Sequence, residues 1–379
     1  MYKLLSAFLL LSLFMNTASA SGPTLVPQAP QLGAKAYLLQ DFTSGRDLAQ
    51  HRADERMAPA SLTKLMSAYV IFEALQSGRL RPDENVRVSE KAWRMTGSRT
   101  FIEVGTSVSV ETLLKGMIVQ SGNDATVALA EHLAGSESVF VSLMNQKAQE
   151  LGLANSQFAN STGLPDENHF TTPRDLATLT RHLITQFPEY YQWYSMKEFS
   201  YNGITQYNRN KLLWRDERVD GVKTGHTDEA GYCLISSAKE GEMRLLSVVM
   251  GTNTKAARAN DSQSLLSYGF RFFDTHKLYA AGATLKTARV WKGASEELAL
   301  GLNQDLFVTI PSTQYDQLSA AVQLQPQITA PVQAGQKLGQ VTVSLNGEVI
   351  AEQSLVALQT VEESGFFGQI MDEVQLWFE

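Results

Sequence analysis

Pro59-Ala60-Ser61-Leu62-Thr63-Lys64 leads directly into Leu65-Met66-Ser67-Ala68-Tyr69-Val70-Ile71-Phe72-Glu73-Ala74-Leu75. Apolar residues at 62, 65, 66, 69, 70, 72 and 75 return every three or four positions, which predicts a helix opening at Ser61 and stopping near Gly78. Before it, residues 36–41, the turn Thr43-Ser44-Gly45 and a polar return to Met57 read as a β-hairpin. A second helix is expected over 124–133. A third opens at Thr172-Pro173-Arg174-Asp175, a polar cap with proline at the first helical position. The β-rich runs 233–236 and 245–250 flank Glu240-Gly241 as another hairpin, followed by a helix over 255–272.

Past Phe273-Asp274 the pattern changes. Short runs rich in Val, Leu, Ile and Thr are broken by Gly, Pro and Asn, as in 306–310 before Pro311 and 341–345 before Asn346-Gly347. This predicts a small all-β domain over 276–361, with a separate amphipathic stretch at 362–379. At the other end, Lys3, the apolar run 4–14 and Ala18-Ser19-Ala20 make residues 1–20 a cleavable signal peptide. The first domain is therefore expected to span 21–275 of an exported protein.

The chain has 379 residues, 44% of them apolar and 19% charged, which is globular composition and excludes a disordered or fibrous protein. Its 32 basic and 39 acidic residues leave a net charge of −7, and no Lys/Arg block occurs, so a nucleic-acid partner is not expected. With Cys233 the one cysteine, no intramolecular disulfide forms; its apolar neighbours make it a core residue. The histidines at 51, 132, 169, 182, 226 and 276 have no metal-ligand spacing, so neither metal nor cofactor is expected.

Ser61 and Lys64, three residues apart at a helix start, share one face. A serine hydroxyl becomes a useful nucleophile when a neighbouring base takes its proton. Lysine serves as that base only when desolvation or a second cation lowers its pKa. A second match, Ser236-Ser237-Ala238-Lys239, lies in an expected strand, where residues three apart point to opposite faces, so it cannot pair. Ser121-Gly122-Asn123 precedes the second helix; the Ser-x-Asn pattern recurs at 200–202 and 344–346, and a helix cap explains it equally well. Lys223-Thr224-Gly225 occurs once. It offers a second cation, a hydroxyl for a carboxylate and a glycine permitting close backbone approach, or else an ordinary polar turn. In this order and context the three form a serine acyl-transfer constellation.

On these motifs the chain resembles the D-alanyl-D-alanine carboxypeptidases, the low-molecular-mass penicillin-binding proteins of the five-and-six type. The resemblance runs through Gln120-Ser121-Gly122-Asn123-Asp124-Ala125, Asn208-Arg209-Asn210, Asp220-Gly221-Val222-Lys223-Thr224-Gly225-His226-Thr227, Tyr268-Gly269-Phe270-Arg271-Phe272-Phe273 and Gly365-Phe366-Phe367-Gly368. It implies an α/β catalytic domain of the β-lactamase/transpeptidase-like kind, a small β-sandwich and a C-terminal membrane-associating helix. The implied partners are peptidoglycan stem peptides and β-lactams. Carried over, Ser61 would be the acylated nucleophile and Lys64 its general base. Ser121 and Asn123 would shuttle a proton and hold the peptide, and Lys223 would tune the site. Thr224, Gly225 and His226 would line a strand edge, with backbone N–H groups of Ser61 and His226 as the oxyanion hole. Arg258 would help bind the terminal carboxylate and Arg209 would support the pocket; without the resemblance Arg258 reads as a solvated helix charge.

Two departures stand out. The loop over 160–169 follows the family loosely, leaving substrate preference and deacylation rate open. The terminal helix also lacks basic residues. At 100° per residue, Phe366, Phe367, Ile370, Met371, Val374, Trp377 and Phe378 fall within an arc of about 140°. Residues 365–379 are too short to span a bilayer as a helix, so they are expected to lie on the outer face of the inner membrane, unless that face packs on the β domain or a second subunit. Its acidic residues are expected to meet no Lys or Arg. Three other readings share the motifs: a β-lactamase, which would need a loop glutamate that Glu167-Asn168-His169-Phe170 does not supply in E-x-x-L-N form; a D,D-endopeptidase; and a non-catalytic wall scaffold.

Overall fold

Leu38 and Leu39 point to opposite sides of one five-stranded sheet, and this alternation divides the core of the α/β domain. The computed structural model describes residues 26–366 together with Gln369, Asp372 and Gln375; the expected signal peptide lies outside the described residues. Strands β1 (Ala36–Asp41), β2 (Asp47–His51), β3 (Val219–Thr227), β4 (Gly231–Glu240) and β5 (Met243–Thr252) are antiparallel in the order β2-β1-β5-β4-β3. Leu38, Ile235, Leu246 and Val248 join the larger core with helices α1 (Lys64–Gln76), α2 (Val110–Val119), α3 (Asn123–Ala134), α4 (Glu137–Glu150) and α5 (Pro173–Gln186). Leu39, Leu234, Leu245 and Val249 pack with Leu265 and Leu266 of α6 (Lys255–Phe272). A Cβ at Gly269 would overlap the Leu245 side chain, so α6 sits close on the sheet.

The expected elements are present, with instructive differences. A 3₁₀ turn, Ala60–Thr63, precedes α1, so Lys64 is the first α-helical residue. The apolar spacing of α1 describes a one-sided helix, yet eleven of its thirteen residues are buried, because helices and sheet enclose it on all sides. Thr172 caps α5, accepting from Asp175 N at 3.1 Å, with Pro173 in the first turn. Helices α2 and α4 were not legible from periodicity. α4 buries only the narrow stripe Phe140, Met144 and Ala148, and its sequence signal is the cap at Ser136, which accepts from Val139 N.

The C-terminal part is all-β. Strands β7 (Lys286–Arg289), β8 (Glu297–Gly301), β10 (Leu318–Leu324), β11 (Lys337–Leu345) and β12 (Glu348–Ala357) form a sheet ordered β7-β8-β12-β11-β10. Strands β6 (Phe273–Tyr279) and β9 (Leu306–Pro311) pair as a ribbon. Asn346 and Gly347 close the β11–β12 hairpin with φ of 53° and 85°, the two-residue turn that Asn-Gly favours. The ribbon is tied to the α/β domain: Thr275 Oγ1 donates to Asp41 Oδ2 at 2.8 Å, and Arg46 Nη1 donates to the Thr309 carbonyl at 2.5 Å.

Phe366, Gln369, Asp372 and Gln375 are helical. Contrary to the expectation of acidic residues without basic partners, Asp372 lies 3.4 Å from Arg289 and accepts from Lys292 N at 2.5 Å. Gln375 accepts from the same Arg289 at 2.6 Å. Those partners lie on and beside β7, some eighty residues away in the chain, so no reading of the segment alone could find them. The remaining residues of its apolar arc lie outside the described residues.

Candidate active site

Lys64 Nζ lies 3.1 Å from Ser61 Oγ, 2.7 Å from Asn123 Oδ1 and 2.7 Å from the Thr162 carbonyl. The 3₁₀ turn puts hydroxyl and amine on one side, the start of α3 brings Asn123, and the 160–169 loop brings the carbonyl. Lys64 is only 1% exposed, since the sheet edge, α3 and that loop close over it. Burial is the main cause that lowers its pKa to about 7, helped by the charge of Arg209 and opposed by Asp124.

A second amine stands beside the first. Lys223 Nζ, from edge strand β3, is 2.9 Å from Ser121 Oγ and 3.1 Å from the Thr224 carbonyl. Burial, then Lys64, Arg209 and Arg258, push its pKa well below the ordinary lysine value. Ser121 does not cap α3. Gly122 holds that position, while Ser121 adopts φ of 68°, in the left-handed region that L-residues rarely enter. That conformation accompanies the turn of its hydroxyl toward Lys223. Strain at such a residue fits a site over-determined by its surroundings.

Asn123 and Asp124 fasten a neighbouring loop. Asn123 Nδ2 donates to the Thr96 carbonyl at 2.7 Å, and the buried Asp124 carboxylate accepts from Thr100 N and Phe101 N, each at 2.8 Å. Gly97 and Ser98 of that loop line the cleft. At Gly225 a Cβ would stand 3.1 Å from the Pro59 carbonyl, so β3 runs close against the Ser61 turn. Thr224 is buried beside it, and His226 is exposed with its ring 3.9 Å from that of Tyr232.

Arg258 is not a solvated helix charge. It is 6% exposed, donates to the Gly225 carbonyl at 3.1 Å and has a pKa lowered to about 10, chiefly by burial. Arg209 lies exposed at the rim. The second Ser-x-x-Lys does not pair: Ser236 is buried within β4 and Lys239 is exposed near its end.

The structure thus gathers Ser61, Asn123, Ser121, Thr224, Gly225, His226, Arg209 and Arg258 around one cleft of about 600 Å³, with Lys64 and Lys223 beneath it. Sequence reasoning missed the Thr162 carbonyl and the anchoring of loop 96–101 by Asp124. A backbone carbonyl carries no residue-type signal, and Asp124 reads as an ordinary acid in a first helical turn. Lys211 and Lys255 join Arg209 and Arg258 on the walls, and among the described residues lining the cleft none is acidic.

A serine beside a buried amine of near-neutral pKa, at the mouth of a cleft without a carboxylate base, is the equipment of a serine peptidase that works through an acyl-enzyme. Residues 24–254 match the family model for D-alanyl-D-alanine carboxypeptidase, and residues 273–363 match that for the C-terminal domain of penicillin-binding protein 5. The chain is 45% identical to D-alanyl-D-alanine carboxypeptidase DacC of Escherichia coli, over 98% of this chain and 94% of the relative. Penicillin-binding protein 5 from Haemophilus influenzae superposes with a TM-score of 0.86 at 42% identity, covering 89% of this chain and all of that one. Penicillin-binding protein D2 from Listeria monocytogenes, solved in an ampicillin-bound form, superposes with a TM-score of 0.60 at 31% identity, over 64% of this chain and all of that one. The chain belongs to the D-alanyl-D-alanine carboxypeptidase family.

Proposed function

We propose that this serine-type D-alanyl-D-alanine carboxypeptidase removes the terminal D-alanine of peptidoglycan pentapeptide stems through an ester on Ser61. Neutral Lys64 takes the Ser61 proton as Oγ attacks the carbonyl between the two D-alanines. The developing oxyanion is held by the backbone N–H groups of Ser61 and His226, donors that typically contribute about 10²–10³ in rate. As the C–N bond breaks, Ser121 passes a proton to the leaving amine and is replenished from the Lys64–Lys223 pair. Water then cleaves the ester, with Lys64 again the base. Arg258, Thr224 and Arg209 attract and seat the terminal carboxylate, in keeping with a cationic cleft lining. A β-lactam, whose amide mimics the scissile bond, would acylate the same oxygen.

The observation that carries this reading is the 3.1 Å contact between Lys64 Nζ and Ser61 Oγ in a buried setting. Intact-mass measurement after exposure to penicillin and, separately, to a diacyl-D-Ala-D-Ala peptide tests it. A penicillin adduct on Ser61 and released D-alanine are expected; an adduct without release would favour the scaffold reading.

The reading extends to cell geography. Residues 1–20 direct export, 21–275 form the catalytic domain, and 276–361 form a β-rich C-terminal domain. The segment 362–379 rests on the outer face of the inner membrane. Among the described residues no helix is long and apolar enough to cross a membrane. Support comes from the apolar arc in the sequence and from Asp372 and Gln375, whose polar side meets Arg289.

A further inference from the structure

We propose that His169 is a positioning residue for the general base, clamping the 160–169 loop onto the turn that carries Ser61 and Lys64. His169 lies 4% exposed, and its Nε2 is 2.8 Å from the buried Thr63 Oγ1. Thr63 is the last residue of the nucleophile's turn, next to Lys64. The ring stands edge-on to Phe158 at 5.8 Å, and its Nδ1 is buried with no hydrogen-bond partner.

The first half of the loop is fastened to α1. Asn160 Oδ1 accepts from the backbone N–H groups of 162, 163 and 164; Ser67 Oγ donates to the Ser161 carbonyl at 2.6 Å; and Lys64 donates to the Thr162 carbonyl. Gly163 (φ 87°) lies against the Ala60 carbonyl, with no room for a Cβ. Residues 165–168 then swing out into solvent. His169 is where the chain returns to the Ser61 turn, one residue before the bridge from Phe170 to Gln157. The loop is thus held at both ends against the Ser61 turn and the start of α1, and from there the Thr162 carbonyl reaches Lys64.

A plain packing role does not account for an imidazole here. Burying a ring nitrogen without a partner costs stability that an apolar side chain of similar volume would not. The arrangement makes sense if the Nε2 contact has a task. We assign the proton to Nε2, donating to Thr63 Oγ1, which leaves at Nδ1 only a lone pair without a partner. The charged groups facing the ring are Lys64, which opposes its protonation, and Asp166 of its own loop, which favours it. Burial dominates and holds the pKa down to about 4, so the clamp stays uncharged and adds no further cation beside Lys64. Loosening it would let water reach Lys64 and return its pKa toward the ordinary value, since burial is the chief cause of the lowering.

This inference rests on the Ser61–Lys64 reading, and the experiment separates the two. Wild-type protein that neither acylates nor releases D-alanine would defeat that reading; an active wild type puts His169 itself to the test. In His169→Leu, penicillin acylation should fall about tenfold or more, with peptide KM within about twofold and the acid limb of the rate displaced upward by about half a pH unit. His169→Gln, which keeps an N–H donor, should stay within about threefold of wild type. Should His169→Leu fail to fold, Thr63→Val removes the other partner and should reproduce the same losses. An unmoved acid limb in the folded apolar variant would overturn the proposal. So would a glutamine variant as impaired as the leucine one.

Discussion

Lys223 Nζ and Ser121 Oγ meet at 2.9 Å on the floor of the cleft, joining edge strand β3 to the start of α3 across 102 residues of chain. The contact places an amine behind a hydroxyl that itself lines the cleft beside Ser61. A hydroxyl so placed can pass a proton without carrying charge. Ser121→Ala should therefore slow peptide turnover about 10²-fold, in the range expected for losing a proton-transfer group. Stopped-flow acylation compared with steady-state D-alanine release checks it; unchanged turnover would remove Ser121 from the chemistry.

Ser61→Ala should abolish both D-alanine release and penicillin labelling, and an adduct mapped to another serine would defeat the assignment. Lys64 calls for a gentler substitution than alanine. Because it is buried and donates to Asn123 Oδ1 and the Thr162 carbonyl, Lys64→Ala would leave a cavity and two buried acceptors unpaired, at about 1–3 kcal/mol each. Lys64→Met keeps the volume and should block acylation with a smaller fall in Tm.

Lys64 accepts a proton only when neutral, so with its pKa lowered to about 7 the acylation rate should rise with pH through neutrality. Arg209 contributes to that lowering, so Arg209→Gln should raise the Lys64 pKa and shift the rise to higher pH. Rates measured from pH 5 to 10 decide it, with His226→Gln as a control expected to leave the midpoint in place. A flat profile would exclude a lysine base.

His169 also leaves a mark on stability. Its pKa is lowered from 6.5 to about 4 on folding, so between those values the unfolded chain binds the extra proton and stability rises with pH. Acidification from pH 6.5 to 4 should cost roughly 3 kcal/mol through this group alone. Urea denaturation of wild type and His169→Gln at pH 7 and 4.5 isolates the contribution. Equal losses in the two proteins would contradict it.

Truncation after Val361 should release the protein from membranes, because attachment would rest on aromatic burial rather than on attraction of basic residues to anionic lipid. Fractionation reads the outcome. High salt should release the full chain only weakly, and membrane-bound truncated protein would eliminate the terminal anchor.

Local chemistry made much of this protein legible in sequence. Ser61 and Lys64 fall three apart at a helix start, Pro173 follows a threonine cap, and Asn346-Gly347 can close a two-residue hairpin, whatever lies elsewhere in the chain. The Ser236-x-x-Lys239 match could be set aside because strand alternation separates the two side chains. Caps and turns act within a few residues, so their residue types disclose them. The power of Lys64 as a base was not so disclosed. It comes from burial, from Arg209, and from acceptors 59 and 98 residues away, one of them a backbone carbonyl. The pairing of Asp372 with Arg289 across 83 residues is of the same kind. Desolvation and through-space charge depend on what the fold brings near, and that is decided when distant segments pack.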